Sequence, residues 1–231
     1  MYAAVLLTYS ASQDGKLIVW DALSAAKRCV IPLHSAWIMT CAFEPTVGNV
    51  VACGGLDNAC SVYKLKNEPI HSGMQDIELN GHDGYVSCCR FVDETKIVSS
   101  SGDGSCIVWD LETKKPMMKL LEHQSDVMSL GKQAVFMPKT LSSETQLKRC
   151  ITCVWIDISP QDSNLFVSGS CDTVALLWDI RQPQPVMEFG ENVDGHESDI
   201  NSVKFSQDGH QFVTGSDDST CRFALNLETN H

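Results

Sequence analysis

Short apolar runs alternate along the chain with turns rich in Gly, Asp and Ser. In Tyr85–Phe91, the residues Val86, Cys88 and Arg90 fall on one side of an extended strand, and Tyr85, Ser87, Cys89 and Phe91 on the other. A period of two marks a β-strand, because successive side chains leave a pleated backbone on opposite faces. Three more strands are predicted behind it, at Lys96–Ser99, Cys106–Trp109 and Pro116–Leu121. Gly and Asp fill the turns between them, where positive φ and side-chain-to-backbone hydrogen bonds are wanted.

The unit repeats. Ser99–Asp110 reads SSSGDGSCIVWD, and related stretches begin at Ser10 (SASQDGKLIVWD), Cys53 (CGGLDNACSVYK), Ser168 (SGSCDTVALLWD) and Thr214 (TGSDDSTCRFAL). Each places an Asp six residues before the Trp position and a small residue four before that Asp. The turn residues Asp14, Asp57, Asp103, Asp172 and Asp218 are separated by 43, 46, 69 and 46 positions. Short strands at a period of about 40–45 are the signature of a β-propeller with one four-stranded blade per repeat. The whole chain, 1–231, reads as one such domain of about four and a half blades. Tyr2–Trp20 supplies the tail of one blade and Ile200–Leu225 most of another. The long interval holds an excess segment, 131–153, read as an insertion or irregular loop. Val127–Leu130 and Val154–Ser159 both look like the inner strand beside it, and only one can occupy that place. At Ala224-Leu225 the aromatic-Asp pair is lost, and the register is expected to slip by one residue.

Composition narrows the chemistry. At 43% hydrophobic and 20% charged residues the chain can bury a real core and is not disordered. A net charge of −12 argues against nucleic acid, which needs a basic face, and favours partners with basic surfaces. Eleven cysteines without a secretory leader read as buried thiols in a reducing compartment. The chain has no G-x-x-x-x-G-K-[ST], H-E-x-x-H or G-x-S-x-G motif. Cys150-x-x-Cys153 would need two more zinc ligands, and only Cys171 and His123 come into question. The expectation is a non-enzyme with no metal and no cofactor.

Two residue sets remain. His82, Ser99, Asp103 and Trp109 can form one hydrogen-bonded chain inside a blade, as can His123, Ser168, Asp172 and Trp178. A structural role suits these histidines better than catalysis, because buried polar groups must be satisfied together. His34, Cys53 and Tyr63 form a degenerate version around Asp57. The second set is Trp37, Met39, Leu56 and Tyr85, which stand at strand starts or turns opening onto one rim, among Asp126, Asp199 and Asp217. Large apolar side chains with an acidic fringe make a binding hot spot.

Stretches such as SASQDGKLIVWD, WIMTCAFEP, VACGGLDNACSVY, GYVSCCRF, HQSDVMSL and TGSDDSTCR resemble the β subunit of heterotrimeric G proteins across nearly the whole chain outside Leu130–Val154. The resemblance implies an all-β, WD40-type propeller of seven blades, here partial and without the N-terminal helix that pairs with a γ subunit. It implies binding of the GDP-bound α subunit, a γ subunit and effectors, with no catalysis. Membrane location at the inner face of the plasma membrane would follow only through lipidated partners. Carried over by position, the contact face comprises Trp37, Met39, Leu56, Asn58, Tyr85, Asp126, Met128, Asp199, Asn201 and Asp217. Two other readings stay open. Trp178-Asp179-Ile180-Arg181 is a W-D-x-R tetrapeptide of the kind seen in WD-repeat ubiquitin-ligase substrate receptors, and the chain could be a non-functional truncated isoform.

Overall fold

The structure is a computed structural model that describes residues 7–33, 37–44, 50–64, 75–131, 162, 164–190, 195–206 and 209–225. Among them are eighteen strands and no helix, arranged as five antiparallel meanders. Blade one holds β1 (Leu7–Ala11), β2 (Lys16–Asp21) and β3 (Ala26–Pro32). Blade two holds β4 (Ile38–Phe43), β5 (Val50–Gly55), β6 (Ala59–Lys64) and β7 (Gln75–Asn80). Blade three holds β8 (Val86–Phe91), β9 (Lys96–Ser101), β10 (Cys106–Asp110) and β11 (Lys115–Leu120). Blade four holds β12 (Val127–Gly131), β13 (Leu165–Ser170), β14 (Ala175–Asp179) and β15 (Met187–Phe189). Blade five holds β16 (Ile200–Phe205), β17 (Gln211–Ser216) and β18 (Cys221–Leu225).

Blade one carries the second to fourth strands of the unit, since Ser10 on β1 pairs with Ile18 as Ser99 on β9 pairs with Ile107. Blade five carries the first to third. The fold is a partial β-propeller. Neighbouring blades pack in chain order, β1 on β4, β4 on β8, β8 on β12 and β12 on β16, and among the described residues β16 and β1 form no comparable seam.

Among the described residues the core is four apolar layers, one at each seam. Leu17 and Ile31 meet Ile38, Val51 and Tyr63 between blades one and two. Leu79 and Val62 meet Phe91, Ile97 and Trp109 at the next seam, and Val98, Val108 and Leu120 meet Phe166 and Trp178 at the third. Val167 and Leu177 meet Val203, Phe205 and Phe212 at the fourth. Strand alternation now serves two neighbours: Ile97 faces blade two and Val98 faces blade four, so both faces are buried. Each fully buried large apolar side chain contributes roughly 1.5–3 kcal/mol. The blades approach closely at Gly54 and Gly169, where an added Cβ would press on Val86 and on Ile200 and Val203 of the next blade.

Every inner strand from β4 onward starts with a bulge. The pairing skips Met39, Ser87, Met128 and Asn201. This corrects the simple alternation expected in Tyr85–Phe91. The extra residue turns Val86 toward Gly54 and blade two, while Ser87 reaches the Val127 carbonyl of blade four. The register slip expected at Ala224 is also absent. Thr214 pairs with Arg222 and Phe212 with Ala224, as Ser99 pairs with Ile107 and Ile97 with Trp109. The Asp-to-Trp spacing is unchanged, so the turn closes in the same way and only the side chain is lost. The inner strand of blade four is β12; Val154–Ser159 and all of 131–153 but Gly131 lie outside the described residues.

Candidate functional site

Five turns of one design set the rim. In blade three the Gly104 N–H donates to the Ser101 carbonyl and the Ser101 N–H to that of Ser105, closing a tight turn around Gly102 and Asp103. The residue after each turn Asp has positive φ: Gly15, Asn58, Gly104, Thr173 and Ser219. In blades three, four and five the Asp side chain then ties its turn to a histidine. His82 Nδ1 stands 3.2 Å from Asp103, His123 Nδ1 2.8 Å from Asp172 and His196 Nδ1 2.7 Å from Asp218.

The other ring nitrogen meets the small hydroxyl residue. His82 Nε2 is 2.7 Å from Ser99 Oγ, which accepts the Trp109 indole N–H at 2.8 Å. His123, Ser168 and Trp178 repeat this at 2.7 Å and 2.7 Å. With Nδ1–H donated to the Asp and Ser O–H donated to Nε2, every buried donor finds one acceptor. Burial holds the His82 pKa below its ordinary value. On Asp103 burial works the other way and raises the pKa, but hydrogen bonds from the Ser105 hydroxyl and the N–H groups of Asp83 and Ser105 outweigh it, and hold the carboxyl at about 2. In blade five Ala224 stands where the Trp would be, and the Thr214 hydroxyl lies 3.5 Å from the Arg222 carbonyl. In blade one Trp20 donates to Ser10 at 2.9 Å, on a face with no blade before it among the described residues, and is only half-buried. His34 lies outside the described residues, and Cys53 and Tyr63 of that blade are buried.

These histidines are therefore occupied as structural ties. Among the described residues no group of three His, Cys, Asp or Glu could hold a metal ion. Cys150 and Cys153 lie outside the described residues.

The rim residues occupy four repeating places. Trp37, Tyr85, Asp126 and Asp199 immediately precede the inner strands. Met39, Met128 and Asn201 are bulge residues, which the ladder leaves unpaired. Leu56 and Asp217 precede the turn Asp, and Asn58 follows it. Large apolar side chains stand open to solvent here: Trp37 is 53%, Met39 45% and Leu56 51% exposed. Trp37 is held with φ at 62°, a left-handed backbone costly for a bulky residue, and its N–H donates to Gln13 of blade one at 3.0 Å.

Beyond blade three the rim turns acidic. The Tyr85 hydroxyl donates to Asp126 Oδ2 at 2.6 Å and lies 3.4 Å from Met128 Sδ. Burial first, and then the Asp126 carboxylate, push the phenol well above its ordinary pKa. The Asn201 amide donates to Asp217. Cys171, not among the contact residues expected from the sequence, stands before Asp172 just as Leu56 stands before Asp57. Its thiol is hydrogen-bonded to Asp199, and burial together with that carboxylate pushes it up to about 12. Ser87, the buried bulge residue of β8, and Gly102, which lies under the Tyr85 ring, are likewise outside the expected set. Each occupies a rim place legible from the repeat, but carries a side chain too small to suggest contact. Arg181 lies at the opposite end of its blade, and its guanidinium is held by Asp179 at 2.6 Å and Asp162 at 3.1 Å.

Comparison with known proteins agrees with this architecture. The profile of the family described as WD domain, G-beta repeat matches residues 73–110, 139–179 and 186–223, about half of the chain. The guanine nucleotide-binding protein subunit beta of Zea mays is 42% identical over 231 residues, covering 96% of this chain and 53% of that protein. The Arabidopsis thaliana protein of the same name is 42% identical over 226 residues, and a Nicotiana tabacum subunit beta-1 is 41% identical, with the same coverage. The chain spans about half the length of the curated relatives it matches. Repeat spacing, blade geometry and profile converge: the chain belongs to the WD-repeat family, and is similar over nearly all its length to β subunits of guanine nucleotide-binding proteins.

Proposed function

We propose that this chain is the rim-bearing part of a G protein β subunit that transduces signals from membrane receptors by binding alone. Its partners are the GDP-form α subunit, a γ subunit and effectors, met at the inner face of the plasma membrane through lipid carried by those partners. The observation that carries the reading is the solvent-exposed trio Trp37, Met39 and Leu56 on one rim, continuous with Asn58, Tyr85 and the carboxylates of Asp126, Asp199 and Asp217. Exposed Trp and Met side chains gain most when a partner covers them, and Met adapts to more than one partner. Asp217, the exposed carboxylate of this sector, selects a partner face that carries lysine or arginine there.

The mechanism is linkage. The α subunit in its GDP form covers the rim, and its GTP form loses the fit and frees the same side chains for effectors. Coupling is reciprocal, so the rim also stabilises the GDP form. Trp37→Ala should weaken binding of a GDP-loaded α subunit by about 1–2 kcal/mol, roughly tenfold, with an unchanged melting curve. Titration calorimetry measures this, and an unchanged affinity would remove Trp37 from the interface.

A further inference from the structure

We propose that Asp126 serves the rim as a positioning residue, holding the Tyr85 ring upright in a notch left by Gly102 instead of offering a free carboxylate to the partner. This rests on the reading that the rim binds an α subunit. The geometry is a box with three walls. A Cβ added to Gly102 would collide with the Tyr85 ring, so the ring lies flush on that turn. The Gly102 N–H donates to the Tyr85 carbonyl at 3.0 Å, which fixes the base of the side chain. At the tip, Asp126 Oδ2 takes the phenol hydrogen at 2.6 Å, with Met128 Sδ at 3.4 Å. A separation of this size is that of a charge-assisted O–H···O⁻ bond. The bond crosses the seam from blade three to blade four, so the orientation of the ring depends on how two blades meet. Asp126 is itself half-buried, and its carbonyl accepts the Cys171 N–H at 2.9 Å. Asp217 is the exposed carboxylate of this sector.

The test separates an acceptor from a charge. Asp126→Asn keeps an oxygen that can accept from Tyr85 and removes the charge, whereas Asp126→Ala removes both. Calorimetry with a purified GDP-loaded α subunit reads binding, and the nuclear Overhauser contact between Gly102 Hα and the Tyr85 ring reads position. Expected are binding about tenfold weaker in Asp126→Ala and in Tyr85→Phe, with the double variant no weaker than either. The Gly102–Tyr85 contact is lost in Asp126→Ala, and Asp126→Asn keeps that contact and binds within about twofold of the parent chain. Binding as weak in Asp126→Asn as in Asp126→Ala, with the ring contact intact, would mean that the charge meets the partner directly and would overturn the proposal. Additive losses in the double variant would do the same. If Asp126→Ala fails to melt cooperatively, Tyr85→Phe combined with Asp126→Asn carries the test. That pair should bind as Tyr85→Phe alone does, and a further loss refutes positioning. If neither Trp37→Ala nor any of these variants changes affinity, the rim reading has failed. The ring contact then decides: retained in Asp126→Ala it sinks the proposal, and lost there but kept in Asp126→Asn it upholds it.

Discussion

At the scale of single residues, the turn positions divide by cost. Gly15 and Gly104 take positive φ freely, and Asn58 takes it at little cost. Thr173 holds φ at 71° with a β-branched side chain, the least suited of the five. Its N–H still closes the turn on the Ser170 carbonyl at 3.2 Å, a bond that any residue supplies. Thr173→Gly should therefore raise stability by about 0.5–1 kcal/mol, the strain relieved less the extra chain entropy of glycine. The measurement is the urea midpoint at unchanged slope. A lower midpoint would show that the Thr173 side chain contributes packing that outweighs its backbone strain. Trp37 is strained in the same sense, but its exposed indole gives that strain a use that Thr173 lacks.

At the scale of the strand and the blade, the tetrads tie the chain leading into each blade to its middle strands. Ser99 bonds His82, ahead of β8, and Trp109 on β10 from its own place on β9, and it is fully buried. Removing its hydroxyl strands two buried groups, each costing about 1–3 kcal/mol. Ser10 makes the equivalent bond to Trp20, yet it is exposed, and water can replace it. Ser99→Ala should thus cost about 2 kcal/mol or more, while Ser10→Ala costs less than about 1. Chemical denaturation of the two variants side by side checks this. Equal losses would mean that Trp20 is covered in solution, and that blade one has a neighbour there. The recurring bulge belongs to this scale too. It moves Met39, Met128 and Asn201 out of the ladder and onto the rim, and it swings Val86 against Gly54.

At the scale of the molecule, stability is shared unequally along the arc. Among the described residues, blades two, three and four each have both faces in an apolar layer, while blades one and five have one. In a linear array of repeats, each seam contributes to both units that it joins. Amide exchange should therefore be fastest in β1–β3 and β16–β18 and slowest in β8–β10, under conditions where the native state opens locally. Mass-resolved hydrogen exchange measures it. Uniform protection across the five blades would mean that the arc opens as one unit, and that its end faces are covered by contacts beyond those described. Phe223, 72% exposed on the end blade, marks where such cover would lie.

What the sequence by itself determined is what lies within one repeat. The six-residue step from Asp to Trp, the four-residue step from hydroxyl to Asp, and the period of two specify strands, turn and register. Those interactions span a few residues along one hairpin, and a slip of one would turn every side chain to the wrong face. The rim was legible only as a list of places, because position in the repeat says where a residue stands and not what it touches. Tyr85 and Asp126 are 41 residues apart in sequence and meet only because two blades close on a shared apolar layer. Cys171 finds Asp199 and the Trp37 N–H finds Gln13 in the same way. Tertiary structure decided these pairings, the bulges that aim the rim and the residual exposure of Trp20. Each depends on the angle and spacing between neighbouring blades, and that geometry arises from the summed packing of side chains at the seam, with no local pattern in the chain to encode it.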